Sequence, residues 1–176
     1  IRHVPAETFR VQNRGGKGLK GVATKDEDSP QSIVTCFSKD RLLIFTNLGR
    51  VYGLKAWETP QGSRHSRGTH IRNLLENLQE GESIVSILPI SKTLVDEVTE
   101  KCLKVKLEEG QKRPSSGYFL MFATKLGLIK KTDLHEYVRI NRNGKYALRF
   151  KLDDDSLVNV QSSVETDDIV MISSTG

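Results

Sequence analysis

Residues 43–51 read Leu-Ile-Phe-Thr-Asn-Leu-Gly-Arg-Val, and residues 121–129 read Met-Phe-Ala-Thr-Lys-Leu-Gly-Leu-Ile. Each is an apolar strand, a tight turn ending in Gly, and a second strand that opens on an apolar or β-branched residue. The last residues, Met171-Ile172-Ser173-Ser174-Thr175-Gly176, run up to an equivalent Gly, and the first residues start just past one. Ile1-Arg2-His3-Val4-Pro5-Ala6-Glu7-Thr8-Phe9 aligns with Ile129-Lys130-Lys131-Thr132-Asp133-Leu134-His135-Glu136-Tyr137. Ile1, Val51 and Ile129 therefore open three units, residues 1–50, 51–128 and 129–176. The second is long because of an insertion at about residues 91–117.

A second landmark keeps the same register. Asn13-Arg14-Gly15-Gly16-Lys17 in unit one matches Asn141-Arg142-Asn143-Gly144-Lys145 in unit three, and Arg67-Gly68-Thr69-His70 lies at nearly the same offset in unit two. Each unit reads as four short strands, placed in unit three at about 127–131, 145–151, 156–161 and 168–173, with Gly, Asn and Asp between them. The expected fold is all-β, a propeller-like array of about three four-stranded antiparallel blades that bury their faces by stacking side by side. A single β-sandwich of about twelve strands is the alternative, and the repeat register argues against it. In the insertion, Leu94, Val95, Val98 and Cys102 would share one face of a short amphipathic helix, or 101–106 would extend a strand. The insertion as a whole reads as a surface excursion with no specific role, with a flexible loop at 111–117. Phe9, Trp57 and Tyr137 read as equivalent apolar positions, and Cys36 as a core residue.

Composition sets outer bounds. The 176 residues are 36% hydrophobic and 28% charged, a folded and well-solvated chain, and no apolar run approaches the roughly 20 residues that span a bilayer. The missing initiator Met suggests a fragment or a processed chain, without a signal peptide. Cys36 and Cys102 form no metal motif and read as reduced thiols.

The net charge of +5 is modest, but it is polarised in every unit. Residues 1–25 hold six Lys or Arg and one acid, and Asp26-Glu27-Asp28 follow. Residues 50–72 hold five and one, before Glu76, Glu80 and Glu82. Residues 125–151 hold eight and two, before Asp153-Asp154-Asp155 and Glu165, Asp167 and Asp168. In a stacked array, equivalent positions recur along one edge, so the pattern predicts a curved basic stripe. Such a stripe suits the phosphates of bent duplex DNA, read without regard to sequence. A propeller-like scaffold for acidic protein partners is the competing expectation.

Catalytic chemistry finds little support. Tyr52, Tyr118, Tyr137 and Tyr146 lie at strand-like or apolar positions, none beside an acidic metal motif. His3, His65, His70 and His135 are scattered without ligand spacing. Asp153-Asp154-Asp155 reads as a solvated hairpin loop.

Residues 12–18, Gln12-Asn13-Arg14-Gly15-Gly16-Lys17-Gly18, allow close backbone approach and could form an anion-binding nest. The segment is no nucleotide-binding P-loop, because the spacing differs. It resembles the box that marks the C-terminal domain of gyrase A proteins, with Asn13 where a basic residue is usual. The stretch from Cys36 to Leu75, the segment Ser83 to Ile90 and the stretch Ala123 to Tyr137 continue that resemblance in order; the insertion departs from it. The resemblance implies a β-pinwheel whose rim wraps double-stranded DNA, with no catalysis or cofactor of its own. It would serve the rest of gyrase A and gyrase B in an A2B2 assembly, in a bacterial cytoplasm or an organelle of bacterial origin. The DNA-binding residues it implies are Gln12, Asn13, Arg14, Gly15, Gly16, Lys17, Gly18 and Lys20, then Arg50, Lys55, Arg64, Arg67 and Arg72, then Lys130, Lys131, Arg139, Arg142, Lys145 and Arg149.

Overall fold

The structure, a computed structural model, describes residues 1–21 and 30–173. Lys25, Asp26-Glu27-Asp28 and the closing Gly176 of the sequence pattern lie outside those residues. Among the described residues, seven strands make two antiparallel sheets. Strands β1 (Arg41–Thr46) and β2 (Arg50–Lys55) form a hairpin, β3 (Ile84–Ile90) pairs with β1, and β6 (Lys145–Tyr146) pairs with β2. The second sheet repeats the plan: β4 (Tyr118–Thr124) and β5 (Ile129–Asp133) form the hairpin, and β7 (Leu157–Val164) pairs with β4.

The hairpins at Gly49 and Gly127 are those expected from the sequence. Both glycines have left-handed backbone, φ 71° and 83°, which closes a tight turn without Cβ strain. The sheets run out of phase with the sequence units, because units two and three begin on the second strand of a hairpin. The first sheet thus draws β1 from unit one, β2 and β3 from unit two, and β6 from unit three. Elsewhere in unit one the described residues form no ladder strand, and residues 168–173 form none either, so among the described residues each unit holds fewer than four strands, while the first sheet has the four expected of a blade. Of the strands expected in unit three, 127–131 shifts to Ile129–Asp133, 145–151 shortens to Lys145–Tyr146, and 156–161 lengthens to Leu157–Val164.

Alternation along β1 explains the core. Leu43 and Phe45 face the second sheet and pack with Phe122, Leu120, Val160 and Tyr137; Leu42 and Ile44 face the other way, onto Leu75 and the partly buried Ile71 and Leu74. Phe45, Phe122 and Tyr137 close on one another at centroid distances of 5.6, 6.2 and 5.8 Å, two of the three contacts edge-on.

The helical first part of the insertion belongs to this core, while most of residues 104–113 are exposed. It forms a helix α1 (Lys92–Val98), capped by the Ser91 hydroxyl accepting from the Leu94 N–H, and runs on through a π-helical turn (Thr99–Leu103). Val98 and Cys102 are buried against the inter-sheet core, with Leu94, Val95 and Leu103 packed beside them. The amphipathic-helix reading holds and the strand reading does not. Cys36, expected in the core, is exposed.

Candidate nucleic-acid interface

Two local structures recur at fixed distances from the first residue of each unit. A single 3₁₀ turn occupies Ala6–Thr8, Ala56–Glu58 and Leu134–Glu136. Seven residues further on, a four-residue turn occupies 13–16, 63–66 and 141–144. The Gly16 N–H donates to the Asn13 carbonyl at 2.8 Å, the Ser66 N–H to Ser63 at 3.1 Å, and the Gly144 N–H to Asn141 at 3.1 Å. Asn or Ser opens every turn, as turn chemistry favours. Arg14, Arg64 and Arg142 occupy the second position, and Lys17, Arg67 and Lys145 come directly after the turn. The unit-two landmark is therefore 63–67 and not 67–70. By the same register Thr59, and not Trp57, is the counterpart of Phe9 and Tyr137. Tyr137 is buried, whereas Trp57 is exposed.

The turns of units two and three rest on the opening residues of the preceding unit. At the later junction the Gly53 N–H donates to the Asn141 carbonyl, β6 pairs with Arg50 and Val51, and a Cβ on Gly144 would lie 2.7 Å from the Tyr52 ring. At the earlier junction the His3 N–H donates to the Pro60 carbonyl, the Gly62 N–H to His3, and the Thr69 N–H to Ile1. Arg2 spreads its guanidinium over the loop beneath the turn, donating to the carbonyls of Ser63, Ser66, Arg64 and Gly21. Arg64 and Arg67 thus stand on unit one as Arg142 and Lys145 stand on unit two. In the first turn, Gln12 Oε1 accepts from the Gly18 N–H at 2.9 Å and folds the box back on itself. A Cβ at Gly16 would collide with that Gln12 side chain at 2.7 Å, so Gln12 and Gly16 shape the turn.

The candidate cations divide by what they already touch. Arg14, Lys17, Lys20, Arg67 and Arg139 are exposed, Arg64 is half-buried, and none of these six side chains is tied to an acid among the described residues. Lys55 and Arg149 lie over the rings of Trp57 and Tyr146 and keep outward charge. Lys130 donates to the Ala147 carbonyl, Lys145 to Glu136, and Arg72 to Gln79. Lys131 lies 4.0 Å from the Phe119 ring centroid and 3.5 Å from Glu165. Arg142 pairs with Glu58 at 2.6 Å. Arg50 is withdrawn from the rim. Its guanidinium is buried, donating to Glu82, Asn77 and Asn143. Lys130, Lys145 and Arg149 come together around an open depression floored by Ala147 and Leu148.

The profile of the family described as "DNA gyrase C-terminal domain, beta-propeller" matches residues 1–36, 40–91 and 118–163. The chain belongs to this family. The DNA gyrase A protein of Staphylococcus epidermidis is 38% identical over 171 residues, and that of Staphylococcus aureus strain MRSA252 is equally similar; each alignment covers 97% of this chain and 17% of the relative. The chain thus spans about a sixth of the length of these relatives. Among solved structures, the C-terminal domain of DNA topoisomerase IV superposes with a TM-score of 0.60, at 24% identity, over 82% of this chain and 38% of that one. A DNA gyrase A C-terminal domain gives 0.53, at 19% identity, over 91% and 43%. Both show the shared fold.

The gyrase profile breaks off at residue 91 and resumes at 118, so the helical insertion is an addition to the family's plan. Asp133 joins its far end to the blade. Burial works to raise this carboxyl, but donation from the His135 N–H, from the Ser116 and Ser115 hydroxyls and from the Ser116 N–H outweighs it and holds Asp133 well below the carboxylate range. Asp155, expected in a solvated loop, is buried and accepts from the Leu126 and Ser156 N–H groups. Among the described residues no three His, Cys, Asp or Glu side chains gather as a metal-holding group, and no helix is long and apolar enough to cross a membrane. Sequence reasoning missed Lys39, Arg41 and Lys92, which gather near Trp57.

Proposed function

We propose that this chain binds duplex DNA without sequence preference, along the Arg- and Lys-bearing turns of a gyrase A C-terminal domain. The observation that carries the reading is the turn at one offset in all three units, with Arg in its second position and Lys or Arg directly after it. Repeated single charges on a rigid frame match phosphates that recur along a helix, and releasing their counterions drives binding. In the parent protein, the wrap would present DNA to a type IIA topoisomerase and support ATP-dependent negative supercoiling by an A2B2 assembly of gyrase A and gyrase B. Strand cleavage would reside in other segments. A bacterial cytoplasm or an organelle of bacterial origin fits that role.

The test is affinity for duplexes of about 20 and 60 base pairs across a salt series. Binding that tightens on the longer duplex, with log K falling by about 0.9 per phosphate contacted for each decade of salt, supports the reading. A shallow slope with no length effect overturns it and favours an acidic protein partner.

A further inference from the structure

The insertion also builds a surface. Lys92 and Val95 of α1 form one wall of an open groove of about 440 Å³; Lys39, Arg41, Lys55 and Trp57 form the rest. Four cations and an indole line it, with no carboxylate among the described residues that do so. Lys92 pairs with Asp96 at 2.8 Å, but both side chains are well exposed, and such pairs hold weakly. Arg41 is anchored by donating to the Val138 carbonyl. Glu58 lies close enough to Arg41 to interact electrostatically, and its own oxygens accept from the Lys55 N–H and from Arg142.

The groove is rigidly framed. Buried Asp40 accepts from the Phe37 N–H at 2.7 Å and from the Lys92 N–H at 3.1 Å, while its carbonyl accepts from the Ala56 N–H. One residue thereby fixes the turn that carries Lys39, the start of β1 at Arg41, the start of α1, and the 3₁₀ turn that carries Trp57. The Trp57 N–H donates to the Ser38 carbonyl at 3.1 Å. The chain's single Trp is thus held with 58% of its surface in solvent. The expectation that Trp57 holds an apolar position fails here.

We propose that this groove binds single-stranded DNA, with one unpaired base stacked on Trp57 and the flanking phosphates held by Lys39, Lys55 and Lys92. A flat indole offers every base a stacking surface, and neighbouring cations track the backbone; a duplex keeps its base faces covered and cannot use the ring. The groove depends on the insertion, so family members without one would lack it. The inference does not rest on the duplex-binding turns, since Arg14, Arg64 and Arg142 are not part of the groove.

Trp57 reports on its own site, because no other Trp contributes to the emission. The chain is titrated with an oligothymidylate of about ten nucleotides, a blunt duplex of equal length, and inorganic tripolyphosphate. The expected result is saturable quenching by the single strand, with log K falling by about 0.7 per phosphate contacted. Lys39→Ala/Lys92→Ala weakens it about tenfold, and Trp57→Leu, followed by anisotropy of a labelled strand, does the same. These side chains are exposed, and circular dichroism verifies that both variants fold. Equal quenching by the duplex or by tripolyphosphate, no quenching at all, or unchanged single-strand affinity in Trp57→Leu would each overturn the proposal.

Discussion

The hairpins at Gly49 and Gly127 are built alike and sit in different surroundings. At Gly49, a Cβ would lie 2.5 Å from the Leu148 carbonyl oxygen, because the segment after the unit-three turn is laid across it. At Gly127, nothing lies within 4 Å, and the neighbouring Leu126 and Leu128 are about half exposed. Thr46 donates to Glu82 at 2.6 Å, and the Leu126 N–H donates to Asp155 at 3.1 Å, so each hairpin is tied to a carboxylate just before its third strand. Glu82 goes further. It is fully buried, pairs with Arg50 at 3.2 Å and accepts from the Tyr52 hydroxyl, whose pKa is pushed up to about 12 by burial and then by Glu82 itself. The difference teaches that a hairpin of this fold becomes more deeply buried when the next unit's turn segment covers it.

Four substitutions and a pH series sharpen that contrast. The largest effect is expected from Glu82→Ala, which strands Arg50 inside the protein and should cost about 3–5 kcal/mol in chemical denaturation. Asp155→Ala removes the matching carboxylate, which forms no salt bridge among the described residues, and its loss should be clearly smaller; equal losses would erase the distinction. Next comes Gly49→Ala, expected at about 2–4 kcal/mol from left-handed backbone plus collision with the Leu148 carbonyl. Gly127→Ala meets the backbone strain alone, about 1 kcal/mol. The last contrast concerns pH. Asp133 is held below its ordinary value, so its contribution is complete above the unfolded carboxylate range and is lost as pH falls toward its depressed native value. The melting temperature of the wild type should therefore fall more steeply on acidification than that of Asp133→Asn, which begins lower at neutral pH.

Much of this was legible in the sequence. The hairpins, the unit starts at Ile1, Val51 and Ile129, and the turns at 13 and 141 follow from Gly and Asn placed between apolar runs. The turn at 63 was hidden because Ser63-Arg64-His65-Ser66-Arg67 closes without Gly, and the glycine at Gly68 drew the alignment forward. Arg50 looked like a rim cation because alternation alone does not reveal that β6 arrives from another unit and closes over β2. The core role of Cys102 was half visible in its spacing from Val98 and Leu94. The exposure of Trp57 and of Cys36 was not visible, because an apolar residue beside strands reads as buried until the surrounding chain is placed.

The most direct test compares turns from different units on one ligand. Arg14→Ala/Lys17→Ala and Arg64→Ala/Arg67→Ala are measured against the wild type on a duplex of about 60 base pairs over a range of salt. Equivalent phosphate-binding turns require that each pair weaken binding and reduce the salt slope by about 0.9 for every contact removed. Slopes that stay at the wild-type value in both variants would contradict the turns as the DNA-binding surface.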